Sequence, residues 1–181
     1  LFLKLKFTPG HEYPHIITYS AVLFCGAFLE EFFFRYILLN IAEKKGKIKT
    51  GIIISALLWS LGHLQSPLNI HLLIGLLNIF ILGILLSLVY LKLKNLSILF
   101  SFHFIWNFTV SLVLGQTLSG IENLPSFFRF QFLMGGENAS LLSGGSFGIE
   151  GSIVTTLFII LLSFYLYLKG YFNINHLYQR D

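Results

Sequence analysis

Ile70-His-Leu-Leu-Ile-Gly-Leu-Leu-Asn-Ile-Phe-Ile-Leu-Gly-Ile-Leu-Leu-Ser-Leu-Val-Tyr-Leu91 runs for 22 residues without an Asp, Glu, Lys or Arg. A transmembrane helix needs about 20 largely apolar residues, within a range of roughly 17 to 25, and this run meets that length alone. Four more apolar runs flank it: Ile16 to Ala42, Gly51 to Gln65, Asn95 to Gly115 and Ile153 to Leu168. Gly51 to Gln65 is short and stops at Ser66-Pro67, where proline ends a helical pattern. None of these runs alternates like a strand, and they are too long for barrel strands. The chain therefore reads as all-α: a polytopic transmembrane helical bundle of about five apolar helical segments.

Composition agrees. Of 181 residues, 55% are hydrophobic, 17% aromatic and only 11% charged, whereas a soluble domain carries about 25% charged residues. Too few polar side chains exist to cover the surface of an ordinary water-soluble enzyme. A disordered chain, a collagen repeat and a disulfide scaffold are excluded as well, the last because Cys25 is the only cysteine. Net charge is 12 − 8 = +4, with no basic stripe interleaved with exposed aromatics, so nucleic acid is not an expected partner and the lipid bilayer is. Length fits one domain over 1–181 with its core in 16–169. The sequence starts at Leu1 without methionine. It reads as part of a longer protein, with Leu1 to Phe7 continuing an apolar segment from spans upstream.

Orientation follows the distribution of cations. Lys44, Lys45, Lys47 and Lys49 lie between the first two runs, Lys92 and Lys94 between the third and fourth, and Lys169 and Arg180 after the last. If every run spans, these eight fall on one face, against Lys4, Lys6 and Arg129 on the other. The eight mark the cytoplasmic face of an integral, multi-pass membrane protein.

Against this background three charges stand out in the first run. Glu30, Glu31 and Arg35 lie inside Ala27-Phe-Leu-Glu-Glu-Phe-Phe-Phe-Arg-Tyr-Ile-Leu-Leu39, where each central charge costs about 2.5 to 3.5 kcal/mol on insertion. Glu31 and Arg35 are four apart and form an ion pair on one helical face. Glu30 is rotated about 100° away, and so needs a partner on another helix. His63, His103 and Asn107 are the candidates, the last two again four apart and on one face. Depth supports their convergence. At the helical rise, Glu30 lies roughly 21 Å from Lys44, His63 roughly 21 Å from Lys49, Asn107 roughly 20 Å and His103 roughly 14 Å from Lys94. Three helices thus aim polar groups at one layer, and intramembrane ionisable residues are functional by default.

These residues resemble a known family. Glu30-Glu31-x-x-x-Arg35 resembles the EExxxR motif of the CPBP intramembrane proteases, also called the Abi or CAAX prenyl protease-like family. Trp59-x-x-x-His63 is similar to its FxxxH motif with tryptophan for phenylalanine, a departure read as touching packing rather than chemistry. His103-x-x-x-Asn107 is similar to HxxxN. Ser143-Gly-Gly-Ser-Phe-Gly-Ile-Glu-Gly-Ser152 resembles a glycine-rich segment of bacterial members, so the likeness runs from about Ala21 to Ser152.

The resemblance implies an intramembrane endopeptidase that hydrolyses a membrane-associated peptide or protein. By physical role, Glu30 is the general base, with His63 sharing the attacking water. Glu31 and Arg35 hold the electrostatic frame, with proton handling as a further role for Glu31. His103 and Asn107 donate to the oxyanion. Two chemistries stay open: a zinc or other divalent metal site on His63, His103 and Glu30, and a metal-free glutamate mechanism. The Ile, Phe, Asn and Lys bias points to an AT-rich bacterial genome and hence to a bacterial peptide or membrane protein as substrate.

Several features are set aside. His11-Glu12-Tyr13-Pro14-His15 matches HExxH, but Pro14 opposes a continuous helix through both histidines, and Thr8-Pro9-Gly10 reads as a turn. Pro14 fits a helix start. Ser143 to Ser152 lacks a P-loop ending and reads as a flexible loop or a lid over the site. Asn78 fits an interhelical hydrogen bond, while His71 and His176 match no motif. Phe32, Phe33 and Phe34 read as lipid contact and packing. Two rival functions use the same residues: a non-catalytic scaffold or bacteriocin-immunity protein, and a transporter with a proton relay, which internal repeats would favour and the chain lacks.

Overall fold

The computed structural model describes residues 5–65, 67–132 and 137–173. All five apolar runs are helical. The first is one continuous rod: α1 (Ile16–Glu31), a π-helical stretch (Phe32–Ile37) and α2 (Leu38–Lys44). Then come α3 (Ile48–Leu61), α4 (Ile70–Leu93) and α5 (Leu96–Asn107), which continues into a second π-helical stretch (Phe108–Val113). A short α6 (Glu137–Ser143) precedes α7 (Ile153–Leu168). Helix α4 and the rod Leu96–Val113 are each long and apolar enough to cross a membrane.

The helix starts follow from local chemistry. Asn69, Asn95 and Ser152 each accept a backbone N–H of the first turn, from Leu72 at 3.0 Å, Ser97 at 3.0 Å and Thr155 at 3.1 Å. Such side-chain oxygens satisfy donors that the helix cannot. Helix α4 ends at Lys94, whose left-handed backbone (φ 51°) turns the chain into α5.

Helix α4 is the axis of the bundle, packed against α3 on one side and α7 on another. Gly83 permits the first contact, since a Cβ there would stand 3.1 Å from Ala56 and from the Trp59 ring. Leu85 meets Ile159 and Leu166 on the α7 side. Polarity runs inside out compared with a water-soluble protein: Glu31 and Arg35 are 0% exposed, while Leu161 of α7 is 68% exposed. An apolar exterior around a polar interior suits hydrocarbon as solvent.

The lysine-bearing connections meet at one end. Lys94 pairs with Glu43 at the end of α2, and the Lys92 ammonium donates to the carbonyl of Gly170, just past α7, at 3.3 Å. The residues after 173 that carry His176 and Arg180 lie outside the described residues, as does Lys4.

The other end carries an unanticipated feature. Strand β1 (Leu5–His11) pairs antiparallel with β2 (Ser126–Phe132), in a register from Leu5 opposite Phe132 to His11 opposite Ser126. Residues 5–7 therefore do not continue an apolar helix, and Thr8-Pro9-Gly10 is strand rather than turn. Proline is tolerated because a two-stranded sheet is all edge. The HExxH match dissolves here. His11 ends the strand, Glu12 has a left-handed backbone (φ 54°), and Tyr13–His15 make a single 3-10 turn before α1. His11 Nε2 instead accepts from the Arg129 guanidinium at 3.2 Å.

The glycine-rich segment is seated on α4. Phe147 is buried against Gly75 of α4, where a Cβ would overlap its ring. Asn78 of α4 makes the expected interhelical bond, accepting from Thr156 Oγ1 of α7 at 3.0 Å. Its amide also donates to the carbonyls of Glu150 at 2.8 Å and Ser152 at 3.3 Å.

Candidate functional site

The Glu31–Arg35 pair of the first rod is fully buried and cross-linked. Arg35 Nε lies 3.3 Å from Glu31 Oε2, and His103 Nδ1 lies 3.0 Å from Glu31 Oε1. Glu31 thus joins the first rod to α5. Arg35 also rests on the Trp59 ring of α3, 4.1 Å from its centroid, a favourable position for a cation removed from water. A buried charge needs such partners, because its desolvation is otherwise uncompensated.

Glu30, one residue earlier, takes a different direction. Its Oε2 accepts the indole N–H of Trp59 at 2.6 Å. Trp59 also offers its carbonyl to His63 Nδ1 at 2.8 Å, and its ring meets His63 and His103 edge-on at 5.8 Å and 5.6 Å. Trp59 is therefore more than the packing residue its place in the motif suggests. Phenylalanine at this position has no N–H to give Glu30. With Nδ1 engaged on both histidines, each Nε2 remains for other partners.

Glu30, His63, His103 and Asn107 line one cavity with ≈ 60 Å³ of room for water-sized molecules. That exceeds the roughly 10–15 Å³ required for a single water. Glu31 and Arg35 stand behind this wall and do not line it. Among the other polar side chains that do line it are Trp106, Ser119 and Glu150. Glu150 Oε1 accepts from Trp106 Nε1 at 3.1 Å, and its Oε2 accepts from the Ser119 hydroxyl. Sequence reasoning passed over these three. The available signal was Glu150 itself, a lone carboxylate in the glycine-rich segment.

An apolar groove adjoins the cavity and shares Leu86 and Phe102 with it. It runs between α4, α5 and α7 past Leu99, Leu162 and Leu166, and no polar atom lines it.

A catalytic zinc takes three protein ligands. Among the described residues, no three His, Cys, Asp or Glu side chains gather to hold an ion. His63, His103 and Glu30 do not form such a set. As placed, the three do not fit a metal centre.

Comparison with known proteins bears on this geometry. The family described as type II CAAX prenyl endopeptidase Rce1-like matches residues 13–109, a span that includes all seven residues of the three motifs and stops short of Glu150. Characterised proteins and solved structures gave no match. With more than half of its length matched, the chain belongs to the Rce1-like family of type II CAAX prenyl endopeptidases and is an integral membrane protein of the intramembrane endopeptidase kind.

Proposed function

We propose that this chain hydrolyses a peptide bond in a membrane-associated peptide or protein, with a water activated by Glu30 and without a metal. One observation carries the reading: Glu30 of α1, His63 of the turn after α3, and His103 and Asn107 of α5 line a single water-sized cavity.

The steps follow from the side chains present. Water sits between Glu30 and Nε2 of His63. Glu30 takes one proton as the water oxygen attacks the peptide carbonyl. The charge on the carbonyl oxygen is received by the Asn107 amide and by the His103 imidazole at Nε2. Donors aimed at an oxyanion contribute about 2.7 to 4 kcal/mol each in hydrolases. The C–N bond then breaks as Glu30 returns its proton to the leaving nitrogen. Glu31 and Arg35 touch no reacting atom in this scheme; they hold His103. The adjoining groove takes the apolar flank of the substrate, and the lysine-rich end faces the cytoplasm of a bacterial cell.

Purified protein in lipid vesicles should cleave such a peptide. Glu30→Gln should lose at least roughly 100-fold in kcat, the range for a general base, while remaining folded by thermal melting. Wild-type-like cleavage by that variant overturns the assignment. Activity should persist in protein whose metal content is far below stoichiometric. Activity that is lost on chelation and restored by one equivalent of zinc overturns the metal-free part.

A further inference from the structure

Glu150 stands outside the family-matched residues 13–109, and the proposed chemistry does not use it. Yet its carboxyl lines the same cavity as Glu30 and His63. Its placement is fixed twice over. The side chain is held at both oxygens, by Trp106 Nε1 and the Ser119 hydroxyl. The backbone is held by the buried amide of Asn78, which donates to its carbonyl at 2.8 Å. A carboxylate oriented this firmly toward an internal space is built to meet something there.

Charge identifies what it meets. Glu31 is balanced by Arg35, and Glu43 by Lys94. Among the described residues, neither Glu30 nor Glu150 has an ion-pair partner; no Lys or Arg lines the cavity, and its two basic side chains, His63 and His103, are engaged at Nδ1 by the Trp59 carbonyl and by Glu31. Two carboxyl groups thus share a space bounded largely by apolar walls, where a charge gains most from an opposite charge and a like charge is rejected. The missing partner is a cation.

We propose that Glu150 seats a positively charged group of the substrate, an ammonium or guanidinium, beside the scissile bond. The inference rests on the proteolytic reading above and adds a substrate preference to it. The cation enters the cavity with the peptide, is held by Glu150, and brings the neighbouring peptide carbonyl to the water at Glu30. Two sources share this chemistry: a Lys or Arg side chain, and a free peptide N-terminus.

The test uses full-length protein in lipid vesicles and one apolar peptide in four forms: with lysine near the scissile bond, with norleucine there, and each of these with the N-terminus free or acetylated. Cleavage of the lysine forms should exceed that of the norleucine forms by roughly 30-fold or more in kcat/KM, the scale of a desolvated charge pair. If acetylation causes the loss and norleucine does not, the cation is the N-terminus. In Glu150→Gln the ratio between charged and neutral peptides should fall to near one, and Glu150→Asp should restore part of it. A wild-type ratio near one, or an unchanged ratio in Glu150→Gln, overturns the inference. Binding of the same peptides to Glu30→Gln, followed by tryptophan fluorescence, separates the two failures. Absence of cleavage by wild type sinks the proteolytic reading, whereas equal binding of charged and neutral peptides sinks the role of Glu150.

Discussion

The indole N–H of Trp59 donates to the carboxylate of Glu30 at 2.6 Å, joining α3 to α1 at the wall of the cavity. The same ring supports the Arg35 guanidinium, so one side chain bears on both the carboxyl that faces the cavity and the buried ion pair behind it. The two functions are separable. Trp59→Phe keeps an aromatic platform and removes one hydrogen bond to a charged group, an interaction of about 1.5–3 kcal/mol. The expected result is a fall in kcat of roughly tenfold or more with KM little changed. Trp59→Leu removes the platform too and should also lower the melting temperature, which Trp59→Phe should lower less.

Much of this arrangement is legible in the sequence. The bilayer demands length and apolarity, so Ile70–Leu93 and its neighbours declare themselves, and charges inside such runs mark the site by their cost. Other parts depend on placements that spacing does not record. A π-helical stretch begins immediately after Glu31 and another immediately after Asn107. In each the hydrogen bond spans five residues, as from Leu38 N–H to Phe33 O. Such bulges often sit at functional sites, but nothing in Phe-Phe-Phe-Arg-Tyr-Ile announces one. The alternation Phe128-Arg129-Phe130-Gln131-Phe132 was a visible strand signal. Its partner, however, lies at the far end of the sequence, with Thr8 opposite Arg129. Glu150 reaches the cavity only because Asn78 and Phe147 dock its segment on α4.

Glu31 and Arg35 are both fully buried, which makes their single and paired replacements behave differently. Arg35→Met leaves the Glu31 carboxylate without its cation and should destabilise the protein by about 3–5 kcal/mol. Glu31→Leu strands Arg35 in the same way. The double variant removes both charges and should recover most of that loss, since apolar replacement of a buried pair is often neutral. Activity should not recover, because His103 Nδ1 loses the carboxylate that holds it. Thermal melting and cleavage measured on the three variants decide this; recovered activity in the double variant would place His103 orientation outside Glu31's role.

Gly75 is a close-approach glycine. A Cβ on α4 at this position would overlap the Phe147 ring, and overpacking a well-filled core costs about 1–3 kcal/mol. Gly75→Ala should therefore lower the melting temperature and, by lifting the glycine-rich segment, raise KM. Phe147→Ala in the same protein should make room for the methyl group. The two substitutions are in contact and should be non-additive. If the double variant is as unstable as the sum of the singles, the segment is not held by this contact.

The apolar groove offers a test that leaves the polar machinery alone. Leu162 of α7 and Leu99 of α5 line it, whereas neither lines the cavity that holds Glu30. If the apolar flank of the substrate lies there, Leu162→Trp fills that space with a larger ring and competes with the substrate. Binding energy used equally in ground and transition states appears in KM and not in kcat. KM for a peptide with a long apolar flank should thus rise by roughly tenfold or more, with kcat preserved. A peptide shortened on that flank should show no such rise, because it never occupied the groove. Equal effects on the long and the short peptide would mean that Leu162→Trp disturbs the bundle and that the substrate's apolar flank lies elsewhere.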